Sequence, residues 1–132
     1  MLYLSKENAK ELAEHSEREC PNEACGMLAG KDRKVEMVYQ MTNRDKSAKT
    51  FFMDPSEQLK VIKEIRDLGM KMVGIYHSHP ETEAYPSPRD VELAFYPEAS
   101  YVIISIKDKA NPSIRSFRII QGEVSEERVK IE

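Results

Sequence analysis

Two histidines and an aspartate stand at a spacing that suits a metal site. His77 and His79 close the apolar run MVGIYH-SH, and Asp90 follows eleven residues later. In a β-strand, residues i and i+2 point to the same face, so both imidazoles can converge on one point. The intervening segment is long enough to fold back and bring the Asp90 carboxylate to that point. Three protein ligands leave the fourth tetrahedral position of a zinc ion open, as in catalytic zinc sites.

The segment S-P-R-D that carries the aspartate is also typical of an ordinary helix start. Ser87 at the N-cap, Pro88 at the first helical position and Asp90 at the third match a common capping pattern. The two interpretations are compatible, because a capped helix end would hold the Asp90 carboxylate in place. An H-x-H pair alone arises by chance on many strands. The joint pattern H-x-H-P-x6-S-x-x-D is far more specific than either part, and it predicts a metal site.

A hydrolase with such a metal needs a group that takes a proton from the attacking water and returns it to the leaving amine. Glu23 is the candidate, because it precedes the apolar run A-C-G-M-L-A. A carboxylate that leads into a core strand is costly unless it has a partner or a role. The competing interpretation, which the residues alone favour, is a solvated carboxylate in the turn after Pro21.

The elements that must position these residues follow from periodicity and from capping signals. Helices are predicted over residues 5–18, 55–68 and 87–96, the second with the apolar stripe Leu59, Ile62, Ile65 and Leu68. Strands are predicted over residues 24–29, 35–41, 72–77, 101–106, 114–120 and 124–131, the last two forming a hairpin. Residues 42–50 form a polar loop. The fold class is therefore mixed α/β (α+β), with about six strands and three helices.

The composition narrows the class of protein. A chain of 132 residues fits a single domain over 1–132, and 40% hydrophobic with 33% charged residues is ordinary for a globular protein. The formal net charge is −3 and no basic run occurs. That charge pattern argues against a duplex-binding protein, whose affinity depends on clustered lysine and arginine.

The compartment is predicted from hydropathy and cysteine usage. No stretch approaches the roughly 20 apolar residues of a membrane helix, and the first residues turn polar too early for a signal peptide. We therefore expect a cytoplasmic protein with no membrane partner. Cys20 and Cys25 are the only cysteines, and in a reducing compartment we expect free thiols.

The residues with chemical potential together resemble a known signature. Glu23, the segment H-S-H-P at residues 77–80, Ser87 and Asp90 are similar to the JAMM signature of the MPN-plus zinc metalloisopeptidases. The resemblance covers nearly the whole chain, including the E-A-C-G-M-L-A-G strand and the Y-V-I-I-S-I strand that follows the S-P-R-D helix. Every active position of the signature is filled.

That resemblance implies a fold, a cofactor and roles for the residues. His77, His79 and Asp90 would bind one Zn²⁺ per chain, Glu23 would be the general acid/base, and Ser87 would stabilise the oxyanion. The implied fold is the curved, helix-flanked sheet of MPN domains, which is related to that of cytidine deaminases. Members of the family cleave peptide or isopeptide bonds after the C-terminal Gly-Gly of ubiquitin-like proteins.

The resemblance is to short, stand-alone prokaryotic members of the family. Their partners are ubiquitin-like or ThiS/MoaD-like sulfur-carrier proteins, and no nucleic acid is implied. Only ten residues separate Asp90 from Tyr101, so the extra loop by which eukaryotic relatives grip ubiquitin is missing. This difference favours release of a small acceptor. The oligomeric state is not predicted.

Three alternatives have to be weighed against this interpretation. A non-catalytic MPN interaction module would need neither Glu23 nor Ser87. RadC-like nucleic-acid-linked hydrolases share the histidine pattern but continue H-N-H-P-S-G, whereas this chain reads H-S-H-P-E-T. A zinc deaminase would carry a P-C-x-x-C segment, which the sequence lacks.

Overall fold

The computed structural model describes residues 1–132 and contains one eight-stranded mixed sheet with three helices. The elements in chain order are β1 (Leu2–Leu4), α1 (Lys6–Glu19), β2 (Cys25–Lys31), β3 (Lys34–Met41), α2 (Pro55–Asp67), β4 (Lys71–His79), α3 (Pro88–Glu92), β5 (Ser100–Ser105), β6 (Ser113–Ile120), β7 (Glu123–Glu127) and β8 (Val129–Ile131). The strand order is β7-β6-β5-β4-β2-β3-β1-β8. None of the helices combines the length and apolar character needed to cross a bilayer.

The sheet curves until its two edges meet. Strands β7 and β8 lie at opposite ends of the strand order, yet only Arg128 separates them in the chain. The Leu2 amide donates to the Arg128 carbonyl, which ties β1 to this junction. The predicted fold class, a mixed α/β domain with a curved sheet, is confirmed, with eight strands instead of about six.

Two of the predicted elements need correction at their ends. The strand expected over 124–131 breaks at Arg128, because its first half pairs antiparallel with β6 and its second half pairs parallel with β1. The helix expected over 87–96 ends at Glu92. The residues after Glu92 are irregular. The amide of Tyr96 donates to the Tyr101 phenol and so ties this segment to β5.

Two apolar clusters form the core, one on each face of the sheet. The first contains Met27, Ile75, Ile103 and Phe117, and Val61 of α2 packs against it. The second contains Leu12 of α1 together with Leu28 and Tyr76. The predicted stripe on α2 is only partly right, because Ile65 is buried whereas Leu59, Ile62 and Leu68 are exposed.

The two cysteines are free, as predicted. Cys25 is buried inside the first apolar cluster, and Cys20 is half-buried where α1 ends. Burial raises the pKa of the Cys25 thiol to about 12, so this side chain behaves as an apolar core residue.

Candidate metal centre

The carboxyl end of β4 presents both histidines to the same face of the sheet. Ile75, His77 and His79 alternate with Tyr76 and Ser78, and Ile75 belongs to the first apolar cluster. Both imidazoles are buried. Strand β4 lies between β2 and β5, with ladder partners on either side. The backbone below the two histidines is therefore held by hydrogen bonds along both edges.

The third group, Asp90, is brought to the histidines by α3. Ser87 caps this helix through a reciprocal pair of hydrogen bonds: the Asp90 amide donates to Ser87 Oγ at 3.1 Å, and the Ser87 amide donates to Asp90 Oδ2 at 2.8 Å. The same Oδ2 lies 3.1 Å from His77 Nε2 and 3.2 Å from His79 Nε2. The capping and metal-binding interpretations of S-P-R-D thus describe one and the same carboxylate.

The three donor atoms form a nearly equilateral triangle, since the two Nε2 atoms are themselves 3.1 Å apart. A tetrahedral zinc site with bonds of about 2.0–2.1 Å places its ligand atoms about 3.3–3.4 Å from one another. The separations in this protein are close to that value. The donor set of two imidazoles and one carboxylate also suits zinc, and the residues therefore fit the ion.

The hydrogen bonds around His79 leave its Nε2 available to a cation. His79 Nδ1 lies 2.8 Å from the Glu83 carbonyl, an acceptor, so the ring proton belongs on Nδ1. The lone pair of Nε2 then faces the Asp90 carboxylate and the second imidazole. Burial alone would raise the pKa of Asp90, but hydrogen bonds with His77 and His79 outweigh it and hold the pKa well below its usual range. His79 Nε2 and Asp90 Oδ2 are thus two acceptors that converge with His77 Nε2 on one point, which suits a shared cation or a shared proton.

Glu23 lies beside this triangle with one oxygen free. Cys25 pairs with His77 in the antiparallel ladder, and the Ser78 amide bonds the Ala24 carbonyl, so the next step of the register places Glu23 beside His79. The residue is only 3% exposed, and its Oε1 has no hydrogen-bond partner. Burial raises the pKa of the Glu23 carboxyl to about 8. The predicted alternative, a solvated carboxylate, is wrong.

Residues of the polar loop 42–50 hydrogen-bond to the backbone of Glu23. The sequence did not predict these contacts. The Glu23 amide donates to the Ser47 carbonyl, and the Asn43 side-chain amide donates to the Glu23 carbonyl at 3.0 Å. The same Asn43 side chain bonds the Thr50 carbonyl and accepts from the amides of Asp45 and Phe52. One buried asparagine thus ties the start of β2 to the loop above the site.

Phe51 and an apolar pocket complete the surroundings of the triangle. The Phe51 ring stacks on the His77 imidazole at 4.6 Å between centroids and 22° between planes. Next to it opens a pocket of about 270 Å³. Its lining includes Phe52, Ile75, His77, Arg89, Asp90, Leu93, Phe95, Tyr96, Tyr101 and Ile103. The aromatic run T-F-F-M was the only sequence signal for this feature.

His15 takes no part in the site. It is buried on α1, its Nδ1 lies 2.8 Å from the Tyr76 hydroxyl, and burial lowers the pKa of its imidazole to about 4. Tyr76 lies on the opposite face of β4 from the metal triangle. This histidine is a neutral, buried partner of Tyr76, which belongs to the second apolar cluster.

Comparison with known proteins places the geometry in context. Residues 5–120 match the family described as prokaryotic homologs of the JAB domain. The chain is 41% identical to the CysO-cysteine peptidase of Mycobacterium tuberculosis over 99% of its own length and 91% of the relative's. It is 35% identical to a probable TtuB-protein conjugate cleaving protease of Thermus thermophilus, over 93% of this chain and 79% of that protein. A solution structure from Desulfitobacterium hafniense superposes with a TM-score of 0.91 at 43% identity, covering 100% of this chain and 93% of the other.

Proposed function

The chain belongs to the family of prokaryotic JAB-domain homologs and is a hydrolase of the peptidase and isopeptidase class, and we propose that it works with one zinc ion held by His77, His79 and Asp90. The observation that carries this proposal is the triangle of donor atoms beside the unpartnered Glu23 oxygen. A zinc ion at this place would supply Lewis acidity to the attacking water and to the scissile carbonyl.

Glu23 is the proton carrier of this proposal. Burial raises the pKa of its carboxyl to about 8, so its surroundings disfavour the ionised form. A cation at the triangle would stabilise the ionised form, so the carboxylate could take a proton from the water. The same group then returns that proton to the leaving amine, as acid/base catalysis of amide hydrolysis requires. The free Oε1 has no structural bond to break first.

Ser87 is proposed to donate to the oxyanion. Its Oγ already accepts from the Asp90 amide, but a hydroxyl that accepts one bond still has its own proton to donate. The cap fixes this oxygen at the start of the helix that carries Asp90. A donor that is positioned in advance stabilises charge as it develops in the transition state.

We propose further that the substrate is a conjugate of a ubiquitin-like sulfur-carrier protein, cleaved after its C-terminal Gly-Gly. The relatives' names identify CysO-cysteine and TtuB-protein conjugates as their substrates. In this chain Asp45 of the polar loop and Arg89 of α3 lie 3.9 Å apart. The loop and the helix therefore form two closely spaced walls beside the site. Glycines let a tail backbone approach the site where a Cβ would collide with such walls.

Mass spectrometry of a carrier fusion tests the proposal. A sulfur-carrier protein extended by Gly-Gly and one further amino acid should be cut after the second glycine by the zinc-loaded protein. A chelator should abolish the cut, and added zinc should restore it. A matched fusion that ends in Leu-Leu before the acceptor should react far more slowly. Equal rates for both tails would contradict the tail specificity, and full activity in chelator would contradict the metal.

The rival functions fit this site less well. A pure interaction module gains nothing from a buried carboxylate without a partner, because such a group costs folding free energy. A nucleic-acid hydrolase would be expected to present lysine and arginine around its site, whereas the pocket beside the triangle is largely apolar.

A further inference from the structure

The pocket beside the triangle is sized for a small molecule. His77 and Asp90 form one end of it, and Ile75, Ile103 and Ile119 lie along its apolar wall. Its volume of about 270 Å³ falls just below the range of about 300–1,000 Å³ of typical drug-sized sites. A single amino acid fits such a space, whereas a folded protein domain does not. Whatever enters it meets the reacting centre directly.

Arg89 is the one lysine or arginine among the sixteen residues that line this pocket. It precedes Asp90 on α3 and lines the same pocket as His77 and Asp90. Apart from the triangle residues His77 and Asp90, the charged lining is this one cation, so the pocket suits a ligand with an apolar part and a single negative charge.

The N–H groups of the Arg89 side chain make no hydrogen bond within the protein. Arg115 makes two short bonds to Glu126, at 2.7 and 2.9 Å, and Arg33 binds both oxygens of Glu127 at 3.2 Å. The Arg89 guanidinium has only Asp45 at 3.9 Å, beyond hydrogen-bond distance, and both side chains are partly exposed. Such a pair contributes little to stability and exchanges readily for another carboxylate.

We propose that Arg89 is a specificity residue that binds the free α-carboxylate of the acceptor, whose side chain occupies the apolar pocket. This inference rests on the proposed function and names its acceptor: one amino acid joined through its amine to the carrier's last glycine. Water adds its oxygen to the glycine carbonyl carbon and the C–N bond breaks. The carrier then leaves as a carboxylate and the acceptor as a free amino acid. A guanidinium suits this role because it can bind a carboxylate with two parallel bonds.

Two matched substrates and two matched variants test the proposal. The substrates are a carrier ending Gly-Gly-Leu with a free carboxylate and the same fusion with a C-terminal carboxamide. The variants are Arg89→Gln and the control Arg44→Gln. Arg44 also stands loosely beside a carboxylate, Asp54 at 3.7 Å, but does not line the pocket. Zinc content is measured for every sample.

The wild-type protein should prefer the acid over the amide by about 10- to 100-fold in kcat/KM, the range of one charged hydrogen-bonded pair. Arg89→Gln should lose this preference mainly through KM, with zinc content unchanged and a much larger loss on the acid than on the amide, and Arg89→Lys should restore part of it. Arg44→Gln should behave as wild type. Equal wild-type rates on acid and amide, or an equal loss on both in Arg89→Gln, would overturn the proposal.

Binding of leucine and leucinamide to the zinc-loaded protein, measured by calorimetry, gives a readout that needs no turnover. Leucine should bind more tightly than its amide, and Arg89→Gln should abolish the difference. A wild-type protein that shows this difference but cuts neither fusion would contradict the proposed function while supporting the role of Arg89. Equal affinity for leucine and leucinamide would contradict the role of Arg89 even if cleavage occurs.

Discussion

Two glutamates, the buried Glu23 and the half-buried Glu127, are held by the protein in opposite ways. Glu127 lies where the two edges of the curved sheet meet, and its carboxylate binds Ser100, Ser116 and Arg33. Burial alone would raise the pKa of Glu127, but these partners outweigh it and the pKa lies below its ordinary value. Glu23 is buried beside the metal triangle with a free oxygen, and its pKa rises to about 8.

The opposite pKa shifts of Glu127 and Glu23 distinguish a structural carboxylate from a reactive one. A buried carboxylate whose oxygens are all bonded stabilises the fold but has no capacity left for a proton in transit. An unbonded buried carboxylate destabilises the fold and is available to react, so its retention indicates function. The contrast therefore supports closure of the sheet as the role of Glu127 and the proposed proton transfer as the role of Glu23.

The largest effect is expected at the metal triangle. Asp90→Ala should lose most of the zinc and lower activity by more than about 100-fold, since even residues that only support a metal ligand are worth about 10- to 100-fold. The fold should survive, because the core strands do not depend on Asp90. Metal analysis, activity and circular dichroism on the same sample check this. Stoichiometric zinc in the variant would contradict the proposal that Asp90 is a zinc ligand.

The two glutamates should give pH dependences of opposite sign. The raised pKa of Glu23 means that the metal-free native state binds a proton more tightly than the unfolded chain between pH 4.5 and about 8. Stability from this group is therefore lost as the pH rises through that window, and Glu23→Gln should remove the loss. The lowered pKa of Glu127 contributes stability above pH 4.5 that disappears on acidification.

Denaturant unfolding of metal-free wild type, Glu23→Gln and Glu127→Gln across this pH range measures both slopes. The free energy of unfolding of wild type minus that of Glu23→Gln should decrease as the pH rises. The corresponding difference for Glu127→Gln should decrease as the pH falls below 4.5. Two slopes of the same sign would refute the contrast.

At neutral pH, Glu127→Gln should cost about 2–3 kcal/mol of unfolding free energy, because a charged, hydrogen-bonded carboxylate is replaced next to Arg33. Zinc content and turnover below the melting temperature should stay near wild type. The matched control is Glu126→Gln, which removes the exposed neighbour that pairs with Arg115 and should change stability little. A loss of turnover without a loss of stability would show that Glu127 takes part in catalysis and would contradict its structural role.

The smallest effect is expected from the helix cap. Ser87→Ala should cost about 1 kcal/mol, as for other N-cap residues, and weaken zinc binding by about 10-fold because the cap holds Asp90. Ser5→Ala removes the N-cap of α1, away from the site, and should match the stability loss without the zinc effect. Identical zinc affinities in the two variants would show that the cap does not support the metal ligand.

Local patterns in the sequence predicted most of the strands and the convergence of His77, His79 and Asp90. The apolar run ahead of His77 and the fixed spacing to Asp90 are visible along the chain. Strand β1 was missed because it has only three residues, too few for a periodicity. The break at Arg128 depends on which strands meet at the closure of the sheet, which local patterns do not contain.

Other parts of the site could not be predicted, because they depend on contacts between distant segments. Asn43 looks like an ordinary loop residue in T-N-R-D. Its hydrogen bond to the Glu23 carbonyl joins residues twenty positions apart, so only the folded structure reveals it. Phe51 lies on His77 for the same reason. The exposed position of Leu59 on α2 likewise follows from how the helix is seated, since its apolar spacing alone predicts burial.

The most direct test of the account is zinc content and turnover measured on the same preparation of Glu23→Gln. Glu23 is assigned as a proton carrier and not as a ligand, so the variant should hold one zinc per chain as wild type does. Its kcat on a carrier ending in Gly-Gly and one amino acid should fall by about 10²- to 10⁴-fold. Turnover near the wild-type rate, or zinc lost in proportion to activity, would contradict the assignment.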